Sequence, residues 1–170
     1  FSNRDVLVGL AASGRTPYVI AAVRRARELG ALSIGLSCNV GTALSAAAEH
    51  GIEVEVGPEV LSGSTRLKSG TAQKLVLNMF STISMVRNGK AYGNLMVDVK
   101  ATNHKLRERA IRMVRTIAEV DRDAAVAALE AAAYDVKLAS IMIRRGEDLA
   151  AATARLGAAD GRLRTALEEN

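Results

Sequence analysis

The sequence predicts an α/β protein: a partial, doubly wound parallel sheet, followed by long helices and a small all-helical tail. Three observations predict it. Short continuous apolar runs alternate with helix-period segments as far as Val56, the pattern of strands buried in a parallel sheet. Beyond Gly57 the apolar residues recur only at helical spacing. Only two prolines and no tryptophan occur in 170 residues, which suits a helix-rich chain with few rigid loops.

The first run, Asp5 to Leu10, reads as a strand buried on both faces. A core strand so near residue 1 leads to the expectation that earlier strands belong to the same sheet and that this chain is part of a larger whole. Pro17 suits the first turn of a helix over Tyr18 to Leu29, with Thr16 as its cap and Gly30 as its stop. Leu32 to Ser37 is a second strand. Thr42 to His50 is a short Ala-rich helix closed by Gly51, and Ile52 to Val56 is a third strand. The alternation of Glu53 and Glu55 there marks a solvated face at a sheet edge. Successive right-handed βα units put the loops after the strands on one rim, so Ser13, Gly14, Ser37 and Glu59 are expected to share it.

A helix is predicted from Ser64 to about Asn88, burying Ala72, Leu75, Val76, Met79, Phe80, Ile83 and Val86. A second is predicted from about Asn94 to Ile117, burying Val99, Leu106, Ala110, Met113, Val114 and Ile117. In the tail, Asp121 and Asp135 look like N-caps and Gly146 and Gly157 like stops. The resulting division is 1–90 for the sheet-containing domain, 91–120 for a long connecting helix and 121–170 for the helical C-terminal domain.

Composition narrows the function. Hydrophobic residues make up 49% and charged residues 24%, which excludes a disordered chain. No apolar stretch approaches the roughly 20 residues of a membrane span. The single cysteine, Cys38, lies beside Ile34 and Leu36 and is expected to be buried and reduced, as in the cytoplasm. The net charge of +5 is concentrated between Lys100 and Arg115, where Lys100, Lys105, Arg107, Arg109, Arg112 and Arg115 face only Glu108. Without interleaved aromatic residues or a reading motif, that face is expected to be solvated rather than to bind nucleic acid. His50 and His104 lack partners at metal-ligand spacing, and one cysteine cannot build a structural zinc site, so no metal centre is expected.

Two stretches carry candidate chemistry. Ser13-Gly14-Arg15-Thr16 lies between a buried strand and a helix, where free amides and the positive end of the helix dipole can hold an anion; a capped helix start is the plainer reading. Gly57 to Thr71 gathers Glu59, Ser64, Thr65, Arg66 and Lys68 before the long helix. Glu59 is a candidate accessory ligand or base, and the alternative is a bond to nearby cations that would depress its pKa.

Gly9 to Val19, Gly57 to Lys74 and Tyr92 to Asp98, taken together and in order, resemble the N-acetylmuramic acid 6-phosphate etherases of the sugar isomerase (SIS) domain superfamily. The resemblance covers nearly the whole chain and is weakest after Val120. It implies the C-terminal half of a SIS domain plus a helical tail. It also implies a cytoplasmic carbon–oxygen lyase of cell-wall sugar recycling that removes D-lactate from the phosphorylated amino sugar by elimination, then hydration. No cofactor is implied, and the family forms homodimers. Carried over by position, Ser13, Gly14 and Thr16 match a phosphate-proximal loop, and Glu59, Ser64 and Thr65 match positions near the sugar. The family's catalytic glutamates have no counterpart in these residues, so the catalytic residues are unassigned and the chain alone is expected to turn over little or no substrate. Cys38 to Ala43 departs from the family's usual Asn-Pro-Asp-Ser-Pro. The alternatives are a non-catalytic sugar-phosphate sensor and a SIS-type transcription regulator.

Overall fold

The computed structural model describes residues 1–168, and the chain divides into two compact units, Phe1–Phe80 and Ser81–Asn170. In the first unit, β1 (Val6–Leu10), α1 (Pro17–Glu28), β2 (Leu32–Ser37), α2 (Ala43–Ala47) and β3 (His50–Glu53) alternate, and α3 (Lys68–Arg87) begins after a long loop. The strands form a parallel sheet in the order β1-β2-β3, so β2 is central and β3 lies at an edge as its alternation predicts. β1 occupies the other edge of the described sheet, and its first residue, Val6, is exposed.

A row of glycines sets how closely the helices approach. Gly9 pairs with Gly35, and Gly35 with Gly51, across all three strands. A Cβ at Gly9 would lie 2.6 Å from Val23 Cγ2, and one at Gly35 would lie 2.9 Å from the Leu44 carbonyl oxygen. The row is the floor on which α1 and α2 rest, and Ala11, Val19, Val23, Leu44 and Ala48 form the core above it.

In the second unit a two-stranded hairpin, β4 (Ala91–Tyr92) and β5 (Leu95–Met96), precedes α4 (His104–Ala118), α5 (Arg122–Ala131), α6 (Val136–Arg145), α7 (Leu149–Ala158) and α8 (Leu163–Glu168). Helix α6 touches α4, α5, α7 and α8 and is the hub of the bundle. Asn103, Asp121, Asp135 and Asp148 each cap a helix by accepting backbone amides, and Gly146 ends α6 in the left-handed conformation. Gly157 is not a stop: α7 continues through it to Ala158. Beneath the helices, the nearly buried Lys137 ammonium donates to the Gly161 carbonyl at 2.9 Å and lies 4.0 Å from Asp98, which also pairs with Lys90.

Several element boundaries differ from expectation: α2 ends at Ala47 rather than His50, β3 covers His50–Glu53 rather than Ile52 to Val56, and two later helices start further along the chain. The long helix starts at Lys68 rather than Ser64, because the Glu59 carboxylate accepts the amides of Lys68 and Ser69 and fixes the first turn there. The helix expected from Asn94 starts at His104. Leu95, Val97 and Val99 instead alternate through β5 and the segment after it, with Gly93 at φ 56° making the hairpin turn. The apolar face expected to be buried on α3 is largely uncovered in this chain: Leu75, Met79, Ile83 and Val86 are all at least half exposed, and only Ser69 and Val76 are buried.

Candidate functional site

The rim above the parallel sheet is where the loop after β1, the loop after β2 and the start of α3 come together. Ala12 accepts from the Cys38 amide at 2.9 Å and from Asn39 Nδ2 at 3.0 Å, and Gly14 accepts from the Leu44 amide at 3.0 Å. A Cβ at Gly14, which sits at φ 64°, would lie 2.4 Å from Thr42 Cβ, so only glycine lets the two loops close. Cys38 is buried, with its thiol 3.7 Å from the Ser69 carbonyl, which ties the second loop to α3.

Three helices start on this rim, and their N-termini are satisfied differently. At α2, Thr42 Oγ1 accepts the Ser45 amide at 3.2 Å, and the Glu53 carboxylate accepts the Gly41 and Thr42 amides, both at 2.9 Å. The Thr42 amide and then the Gly41 amide, with the Ser45 hydroxyl, hold the Glu53 carboxyl below its ordinary pKa. At α3, the Glu59 carboxylate accepts the Lys68 and Ser69 amides, both at 3.0 Å. The Ser69 amide and then the Lys68 amide depress its pKa, with the Lys68 charge a lesser contribution. Each of these N-termini already holds an anion supplied by the chain.

Helix α1 holds none. Thr16 sits at its N-cap with φ −67° and ψ 113°, yet its side chain makes no capping bond, and no acidic residue occupies the first turn. Pro17 has no amide hydrogen, and the amides of Tyr18 and Val19 have no acceptor among the described residues. Ser13 is exposed, and among the described residues its Oγ accepts only from the Arg15 amide, at 3.3 Å. Arg15 is exposed and has no carboxylate partner among the described residues. Two hydroxyl-bearing residues, free amides and a positive dipole end thus gather at one place on the rim, with the exposed Arg15 between Gly14 and Thr16 in the same loop, a donor set that fits a phosphate monoester.

The other sequence candidates are placed less centrally. Ser64 is half-buried in the turn before α3, and Thr65 beside it is exposed, its carbonyl accepting the Gly70 amide. Arg66 is exposed, while Lys68 Nζ donates to the Val56 carbonyl at 3.2 Å. No group of three or more His, Cys, Asp or Glu is arranged to hold a metal among the described residues. A surface recess of about 600 Å³ between α1 and α2, lined by Arg24, Arg27, Glu28, Ala43, Ala46 and Ala47, shares no lining residue with the Ser13 loop.

Sequence reasoning misses Glu53 and Thr42. Periodicity places Glu53 on a solvated strand face; the signal that could find it is a carboxylate at the end of a strand whose preceding helix begins Gly41-Thr42, where two amides need an acceptor.

Residues 1–83 match the SIS domain, and residues 93–158 match the C-terminal lid domain of glucokinase regulatory protein. The chain is therefore built from a SIS domain and a lid-type helical domain. Within that class its relatives are specific. It is 56% identical over 170 residues to the N-acetylmuramic acid 6-phosphate etherase of Vibrio atlanticus, covering 100% of this chain and 56% of that protein. It is 51% identical over 166 residues to etherase 1 of Bacillus licheniformis, covering 98% of this chain and 55% of the relative. With the Rubrobacter xylanophilus etherase the identity is 57% over 165 residues, 97% of this chain and 54% of the relative. Over nearly its whole length the chain is thus similar to N-acetylmuramic acid 6-phosphate etherases, and it spans about half the length of the curated relatives it matches.

Proposed function

We propose that this chain supplies the phosphate-holding rim of an N-acetylmuramic acid 6-phosphate etherase, which cleaves the D-lactyl ether to give N-acetylglucosamine 6-phosphate and D-lactate. One observation carries the reading: on a rim where α2 and α3 are closed by Glu53 and Glu59, α1 alone presents free amides beside Ser13 and Thr16. In a family named for a 6-phosphorylated substrate, that opening suits the phosphate. Ser13, Gly14 and Thr16 bind it, while Glu59, Ser64 and Thr65 line the approach to the sugar.

The same geometry separates binding from acid–base work. Elimination of lactate needs a carboxylate to take a proton and a second group, protonated, to donate one to the departing oxygen. Glu53 and Glu59 are both held ionised by backbone amides, so neither suits the donor role, and as bases both are weakened. Their part is to hold the rim in shape.

The match to a lid domain of a regulatory protein does not favour a sensor, because the etherase relatives cover those residues too. The uncovered apolar side of α3, with Leu75, Met79, Ile83 and Val86 exposed, supports assembly as a homodimer. A phosphorylated metabolite as substrate and a buried, unpaired Cys38 support a cytoplasmic location.

The test is a chimera in which this chain replaces the matching segment of the Vibrio atlanticus etherase. It is expected to release D-lactate from N-acetylmuramic acid 6-phosphate, and Ser13→Ala is expected to raise KM more than it lowers kcat. A folded chimera that binds no phosphosugar would overturn the reading.

A further inference from the structure

The basic face of α4 is not accounted for by the rim. The carboxylates near it are all engaged: Glu108 with Arg122 at 2.6 Å and 2.9 Å, Asp98 with Lys90 and Lys137, and Glu119 with Arg144 at 3.9 Å. Arg107 lies over the Tyr134 ring, 5.0 Å from its centroid. The side chains of Arg109 and Arg112 make no ion pair within 4.0 Å, hydrogen bond or ring contact among the described residues; the Arg112 carbonyl accepts the Thr116 hydroxyl at 3.0 Å, and the Arg112 charge adds a minor pull on Glu108, which is already paired with Arg122.

These two arginines, about one helical turn apart, line a pocket of about 260 Å³ between the β4–β5 hairpin and α4. Its other lining residues are Asn94, Leu95, Met96, Met113 and Thr116. A merely solvated helix face has no such enclosure. Here two planar forks border a recess whose floor is the buried Met113 and whose wall includes Leu95 and Met96. Guanidinium forks match the paired oxygens of a carboxylate or phosphate, and the Asn94 amide adds a neutral donor and acceptor. The volume suits a ligand of a few heavy atoms up to a monosaccharide fragment.

We propose that the Arg109–Arg112 pocket is an oxyanion-binding site of the lid-type unit, taking a small carboxylate or phosphate monoester with a short apolar or amide-bearing body. It is formed by residues of this unit alone, and its existence does not depend on the assignment of the Ser13 loop.

The methionines provide a local readout, because Met96 and Met113 line this pocket and Met79, Met85 and Met142 do not. The full 170-residue chain, labelled with 13C at its methionine methyls, is titrated at constant ionic strength with inorganic phosphate, D-lactate, N-acetylglucosamine 6-phosphate and, as control, sodium chloride. Saturable shifts of the Met96 and Met113 methyls are expected with at least one oxyanion and not with chloride, and the comparison of D-lactate with the phosphates identifies the preferred class. R109Q/R112Q should weaken that binding at least about tenfold, the effect of losing one charge-assisted fork contact or more. Met96→Glu, which puts a competing carboxylate on the wall, should abolish it. Unmoved methyls, equal shifts with chloride, or unchanged titrations in both variants would overturn the proposal, with the Met142 signal reporting that each variant is folded.

Discussion

Replacing Gly35 by alanine tests the glycine floor of the first unit. Gly35 lies in the central strand with no positive φ, so alanine fits its backbone, and from propensity alone the change would stabilise by roughly 0.5–1 kcal/mol. The packing opposes this. The new Cβ would sit 2.9 Å from the Leu44 carbonyl oxygen, 3.0 Å from Leu44 Cγ and 3.2 Å from the Ala48 Cβ, and the first of these is backbone that moves only if α2 moves. Overpacking of this kind costs about 1–3 kcal/mol, and because the closest contact is to backbone the upper part of that range applies, leaving a net loss of up to about 2.5 kcal/mol. Gly157→Ala is the control: it lies inside α7 with nothing within 4 Å of where an added Cβ would stand, so the same substitution should stabilise by about 0.5–1 kcal/mol. Hydrogen exchange followed by mass spectrometry on peptides from each unit reads the two effects separately. Faster exchange is expected around residues 32–48 for Gly35→Ala, and slower exchange around residues 149–158 for Gly157→Ala. If Gly35→Ala also slowed exchange, the floor would not limit helix approach, and the reasoning would fail.

Three further outcomes follow from the same geometry. Gly14→Ala imposes a left-handed alanine and a Cβ 2.4 Å from Thr42 Cβ; it should destabilise the rim by about 2–4 kcal/mol and abolish phosphosugar binding measured by calorimetry. Glu53 has its pKa lowered from 4.5 in the folded chain, so its contribution is fully present above that value and is lost as pH falls through the lower folded value. Glu53→Gln should therefore flatten the acid limb of the stability–pH profile of the first unit, and an unchanged limb would refute the cap. Leu75→Glu with Ile83→Glu, both on the exposed side of α3, should prevent the proposed homodimer from forming in light scattering without loss of helical circular dichroism, and an unchanged mass would refute that role for α3.

The parallel units are legible in the sequence because their signal is local. The run Leu32 to Ser37 is continuous and apolar, and β2 occupies those residues; Pro17 and Gly30 bracket α1 within a residue or two. What is not legible is set by partners distant in sequence. No propensity distinguishes Ser64 from Lys68 as the start of α3, because the choice is made by the Glu59 carboxylate nine residues before Lys68. The hairpin at Ala91 to Met96 is hidden by the helical periodicity that resumes at Leu106, although the alternation of Leu95, Val97 and Val99 is the period of a strand. The periodic face of α3 suggests burial within this chain, yet periodicity reports that a surface is apolar, not which chain covers it.

The same distinction governs the site. In the sequence Glu59 stands out as a carboxylate among hydroxyls and cations, while Glu53 looks like solvated edge. The structure makes them equivalents: each lies on the rim, and each carboxylate closes a helix N-terminus through two backbone amides. A phosphate brought to this rim meets charge repulsion and occupied donors at α2 and α3. At α1 it meets the amides of Tyr18 and Val19, which have no acceptor among the described residues, beside Thr16 and in the same loop as Arg15. On the proposed reading the two glutamates therefore act on specificity by filling the competing anion positions, which leaves a single place for the phosphate at α1. Neutralising either one should open a second, weaker phosphate position at α2 or α3 rather than strengthen binding at α1, and competition between inorganic phosphate and the phosphosugar would then depart from a single-site curve.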